Sequence, residues 1–220
     1  MNLITFAKLF SGSPFKPLLQ HRERILDALL HLNQQVHSLN SGQSHNAPSS
    51  GWIKAFSGQL EKLEHETLQR LHQPSITSQP KDVVINTLQI QNAIAHEICR
   101  LSERLGYRPL NLPPELIVPV NAMARQFGQT VYQLRQGINE LEQLSTSGYR
   151  KKHKSSLNRL RKQLTLCTDE VRETSQEIRH LACQFEHHIA PVDVALLFLI
   201  LDGISDLALW MRSLIVNLQN

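Results

Sequence analysis

Apolar residues return every three to four positions through long stretches of this chain, and that period is the constraint from which its fold follows. Between positions 18 and 39 they stand at Leu18, Ile25, Leu29, Leu32, Val36 and Leu39, with Arg22 the one interruption. The same spacing carries Phe56, Leu60 and Leu63, then Val84, Leu88, Ala95, Ile98 and Leu105. It continues through Met123, Phe127, Val131, Leu134, Ile138 and Leu141, and through Leu157, Leu160, Leu164, Cys167, Val171, Ile178 and Phe185. A helix with such a stripe hides it by packing against other helices.

Polar or proline-bearing breaks at 41–51, 73–80, 106–114, 145–156 and 187–191 divide the chain into six helices. Connections this short make consecutive helices antiparallel neighbours. Nine glycines and ten prolines in 220 residues are too few to turn many short strands. The expected fold is all-α, a tandem pair of three-helix bundles with six long helices in up-down antiparallel packing. Residues 1–108 form the N-terminal bundle in this reading and 109–220 the C-terminal one. An internal echo supports the tandem: Pro80-Lys81-Asp82-Val83 and Pro191-Val192-Asp193-Val194 each open the third helix of a half. Proline and aspartate suit any first helical turn, so the echo is short support.

Several function classes drop out. Cys99, Cys167 and Cys183 show no Cys-x-x-Cys spacing, which fits a reducing compartment and a cytoplasmic protein. Met1 to Phe10 lacks the sustained apolar core of a secretory signal. The most apolar stretch, Val192 to Leu218, is interrupted by Asp193, Asp202, Asp206 and Arg212 and reads as a core helix rather than a membrane span. There is no glycine-rich phosphate loop, no Gly-x-Ser-x-Gly elbow and no His-Glu-x-x-His pair. A ferritin-like di-iron enzyme needs two Glu-x-x-His motifs, and only Glu177 to His180 is present.

The acidic residues offer the sharpest chemistry. Asp202 and Asp206, four apart, share one helix face. Buried together they must take up a proton or bind a hard cation, a divalent metal or iron; exposed, they are a solvated stripe. Asp169, Glu173 and Glu177 repeat the spacing on the fifth helix, where they either meet the first pair or face water. In the first half the corresponding set is Glu61, Glu64, His65 and Glu66 with Asn92 and His96. Net charge is +4, and the clearest cationic cluster is Arg150, Lys151, Lys152, Lys154, Arg159, Arg161 and Lys162. Lipid headgroups, an acidic loop of a partner, phosphate or plain solubility each account for it. With Tyr149 the one aromatic residue nearby, no nucleic acid is expected as a partner.

Short segments in a fixed order resemble the PhoU-related proteins that accompany Pit-type phosphate transporters. They are the run from Ser13 to His21; Leu63-Glu64-His65-Glu66; Ile138 to Leu141 leading to Ser147-Gly148-Tyr149-Arg150; and Pro191 to Val194 running on to Asp202 through Ala208. The resemblance spans nearly the whole chain. It implies twin three-helix bundles with acidic motifs on the inner helices able to hold metal ions. Carried over residue by residue, the metal set is Asp202, Asp206, Asp169, Glu173, Glu66 and His96. Leu68 stands where such proteins tend to have an aspartate, and Asn92, His96 and Arg100 stand where they look acidic or amide-bearing; a cation such as Arg100 can replace a metal rather than bind one.

The function so implied is that of a non-enzymatic accessory regulator of inorganic phosphate transport at the cytoplasmic face of a Pit-type permease. Peripheral contact with the inner membrane would run through Arg150, Lys151, Lys152 and Lys154, and a homo-oligomer fits as well. A metal-dependent carboxylate enzyme and a purely structural helical adaptor are the alternatives.

Overall fold

The computed structural model describes residues 16–39, 50–71, 81–147 and 150–219, with the side chains of 50, 141–154, 157, 218 and 219 outside that description. Among the described residues there are six α-helices and no strand: α1 (Lys16–His37), α2 (Ser50–Leu71), α3 (Lys81–Tyr107), α4 (Pro114–Ser147), α5 (Arg150–Gln184) and α6 (Pro191–Gln219). A single 3-10 turn, Glu186–His188, joins the last two. The all-α expectation is met, and the predicted stripes are the buried ones. Leu18, Ile25, Leu29, Leu32, Val36 and Leu39 are all inside, as are Met123, Phe127, Val131, Leu134 and Ile138. Arg22, the interruption in the first stripe, is buried with its neighbours.

Helices α1 to α3 pack on one another, as do α4 to α6; across the halves α3 lies on α6 and α1 on α4. The hydrophobic core does not divide at that seam. One continuous cluster draws residues from all six helices, and a small satellite of Leu18, Leu71, Val84 and Leu88 closes one end of the first half. Helix α6 packs against α3, α4 and α5. By length and composition it could cross a membrane. Leu197, Ile200, Ile204, Leu207, Met211 and Ile215 lie within the core, while Val192, Leu199, Leu209 and Trp210 on the same helix are exposed.

The link between the halves is fastened by an ion pair. Asp193 occupies the first turn of α6, where the helix dipole favours an anion, and its backbone N–H donates to the Ala190 carbonyl at 2.8 Å. Its side chain is almost fully buried with Arg108 Nε 3.2 Å from Oδ1. Asp82, its counterpart in the first half, is exposed. The two echoing tetrapeptides therefore start helices alike while only the second anchors the linker, because Arg108 belongs to the linker itself.

One boundary differs from the sequence reading. The break expected over 145–156 is much shorter: α4 continues to Ser147 and α5 begins at Arg150. Arginine and lysine are good helix formers, and past Gly148 no glycine or proline stops the helix. The cationic cluster accordingly stands on a helix rather than in a loop. The side chains of Arg150, Lys151, Lys152 and Lys154 fall outside the described residues.

Helices α4 and α5 approach closely at Gly137, where an added Cβ would lie 2.7 Å from Leu160 Cδ1 and closer still to Cδ2. Gly58 on α2 faces open space. One substitution should thus act with opposite signs at the two sites. Gly58→Ala is expected to stabilise by up to about 1 kcal/mol through helix propensity. Gly137→Ala is expected to destabilise by about 1–2 kcal/mol once overpacking against Leu160 is set against the same gain. Paired thermal melts check this, and equal shifts would mean that the α4–α5 contact is looser than described.

Candidate functional site at the α3–α6 seam

The most unusual buried chemistry lies where α3 of the first half meets α6 of the second. The two helices run antiparallel: Asn217 Nδ2 donates to Thr87 Oγ1 at 2.9 Å at one end, and Arg108 reaches Asp193 at the other. Between these ties Glu97, Arg100 and Arg104 follow at three- and four-residue steps and so share one face of α3. Glu97 is 4% exposed. Its Oε2 accepts from Arg100 Nη1 at 3.0 Å, and its Oε1 lies 3.4 Å from Arg104 Nη1. Arg104 Nη1 also donates to the Leu199 carbonyl of α6 at 2.7 Å.

Gly203 makes the room. A Cβ built there would stand 2.9 Å from Glu97 Oε1, 3.1 Å from Arg104 Nη1 and 3.3 Å from Leu101 Cδ1. Burial pushes the Glu97 carboxyl above its ordinary range, Arg100 and Arg104 pull it back, and Asp206 and Asp202 push it further up. Next to Gly203 on α6, Asp202 pairs with Arg179 of α5 at 2.5 Å. The same guanidinium donates to the Phe198 carbonyl at 3.2 Å and lies over the Phe198 ring, 4.9 Å from its centroid. Arg179 is thereby pinned along α6.

The acidic residues singled out in the sequence do not assemble into a coordination shell as placed. Asp202 and Asp206 are exposed on α6 and adopt the solvated-stripe geometry. Asp169 and Glu173 are exposed on α5, whose buried face is made by Thr168, Val171, Ser175 and Ile178. The expected meeting of two acidic stripes gives way to a pairing of Asp202 with an arginine, because the helical turn that carries α5 past Asp202 presents Arg179 there. In the first half Glu66 lines a groove of about 440 Å³ between α1 and α2 together with Glu23, Arg24, Asp27 and Lys62. His96 lines a separate cleft of about 50 Å³ with Glu61, Glu64, Asn92 and Cys99. Among the described residues no three His, Cys, Asp or Glu side chains converge as a metal ion requires. As placed, Asp202, Asp206, Asp169, Glu173, Glu66 and His96 form no such group, and no chemistry is routed through a metal.

No protein-family model matches the sequence. A UPF0111 protein of Haemophilus influenzae is 21% identical over 203 residues, covering 91% of this chain and 89% of that protein. The crystal structure of a PhoU-like protein from Shewanella oneidensis MR-1 superposes with a TM-score of 0.75 at 23% identity, over 94% of this chain and 97% of that one. A second crystal structure from the same organism, described as a candidate PhoU-like phosphate regulatory protein, gives 0.74 at 23% identity over 96% of both chains. The chain has the PhoU-like fold.

On this PhoU-like scaffold the seam carries guanidinium groups beside carboxylates: Arg100 and Arg104 at Glu97, Arg179 at Asp202. Arg100 acts as a cation toward Glu97. Glu97, Arg104 and Gly203 were not singled out from sequence. The available signal was Gly203, a lone glycine in a strongly apolar helix, which marks a close approach of another group.

Proposed function

We propose that this chain is a non-enzymatic accessory regulator of inorganic phosphate transport, acting at the cytoplasmic face of a Pit-type permease. The observation that carries the reading is the likeness, over nearly the full length of each chain, to PhoU-like proteins, one of them described as a candidate phosphate regulatory protein. Regulation by docking suits a structure whose carboxylates at the seam are faced by arginines rather than poised as free bases. Burial raises the Cys99 and Cys167 thiols above their ordinary range, which keeps both protonated and poor as nucleophiles. A helical bundle with neutralised internal charge is a surface for partners, and the permease is the partner proposed.

Radiolabelled phosphate uptake tests this in cells lacking the chain and in the same cells with it restored. The initial rate through the low-affinity route is expected to differ between the two and to return on restoration. Identical uptake at every phosphate concentration would end the proposal. Co-purification with the permease is the companion result expected.

A further inference from the structure

The first turns of α5 carry a dense run of positive charge. From Ser145 to Thr168 the chain has no acidic residue, and seven arginines and lysines fall within that span, Arg150 to Lys162. Arg150, Lys151 and Lys152 stand in the first turn of the helix, where the dipole disfavours cations, so helix stability does not explain them. Arg159 reaches Glu140 of α4 at 3.8 Å with its side chain two-thirds exposed, a geometry that contributes little.

Arg161 and Lys162 are exposed and, with Asn158, Thr165 and Leu166, line a shallow groove of about 500 Å³. Leu166 is 62% exposed. An acidic protein loop would match the cations but leave the exposed Leu166 among them without a role. A bilayer surface takes both: phosphate headgroups meet the cations, and the boundary with the acyl chains accepts aliphatic groups.

We propose that this face of α5 docks on a membrane surface bearing anionic phospholipid, with Arg161 and Lys162 against the headgroups and Leu166 at the acyl boundary. The proposal stands on local charge and exposure and does not depend on the transport reading.

Co-sedimentation of the full chain with vesicles tests it. Vesicles of phosphatidylcholine mixed with phosphatidylglycerol are expected to pellet the protein, and pure phosphatidylcholine vesicles to leave it in solution, with binding weakened by salt. Arg161→Gln with Lys162→Gln is expected to weaken binding about 30-fold, since each cation near such a surface contributes about 1 kcal/mol. Leu166→Ser is expected to weaken binding while preserving its salt dependence. These positions are exposed, so thermal melts of the variants should match the parent.

Absence of binding to the anionic vesicles overturns the proposal, as does unchanged binding by the Arg161→Gln, Lys162→Gln variant. Inorganic phosphate displacing the protein more strongly than chloride at matched ionic strength would point to a free-anion site and overturn it too. Retention on an acidic protein without vesicle binding would place the partner among proteins instead.

Discussion

Replacing Arg104 by Met is expected to destabilise the protein by about 3–5 kcal/mol, more than any surface charge change in the chain, because it leaves Glu97 buried beside a single, largely exposed guanidinium. Methionine keeps the length and apolar volume of the arginine stem, so the loss is of charge rather than packing. Glu97→Gln should cost far less, since the amide fills the same space without an unpaired charge. Combining the two should recover most of the stability, and the coupling measured in that cycle is the strength of the pair. Urea denaturation of the four proteins provides the numbers.

The pH dependence gives an independent sign. Burial holds the Glu97 carboxyl above its ordinary range in the folded state, so the folded protein binds this proton more tightly than the unfolded chain. Stability from that group is lost as pH rises from the ordinary carboxylate range through the raised folded value. Arg104 opposes the rise, and removing it widens the window. The Arg104→Met penalty should therefore grow from mildly acidic to neutral pH. A penalty below about 1 kcal/mol at every pH would show that water reaches Glu97 and that the seam is not closed there.

What the sequence disclosed and what it withheld have separate physical causes. Helical period is a local property, so the stripes on α1, α3 and α4 could be read before the fold was known, and Ile25, Ile98 and Phe127 are buried as the spacing requires. The six helices followed from break positions in the same way. Which face of a helix meets which neighbour is not local. Asp202 and Asp206 were correctly placed on one face, and Asp169 and Glu173 on another, yet spacing cannot say whether those faces turn inward, and both turn to solvent. Glu97 was invisible for the opposite reason: a carboxylate within Glu97 to Arg104 reads as an ordinary charged surface of α3. The features that bury it, Gly203 and the Leu199 carbonyl, lie about a hundred residues away in sequence. Charge patterns also misled at 145–156, where a basic and serine-containing stretch suggested a loop and its helix-forming residues prevailed.

Acid should loosen the first half through His21. This imidazole is fully buried on α1, with Nδ1 2.9 Å from Gln91 Oε1 on α3 and Nε2 buried without a hydrogen-bond partner. The geometry suits a neutral ring that donates from Nδ1. Burial lowers its pKa to about 4, partly offset by hydrogen bonding to Gln91 and Asn92. In the unfolded chain the ring titrates near 6.5, so the unfolded state binds the proton more readily throughout the interval between these values. The sign follows: stability is intact above the unfolded value and falls as pH drops from about 6.5 to about 4, by on the order of 3 kcal/mol in all. His21→Gln keeps a polar side chain at the position and removes the titration. Its stability should start lower at neutral pH, since a glutamine fills the site less well, and then fall less steeply with acid than that of the parent. The difference between the two denaturation series isolates the histidine from the carboxylates that titrate in both. Parallel slopes across the interval would mean that the ring is protonated as easily in the folded protein as in water, and the buried α1–α3 contact would have to be redrawn.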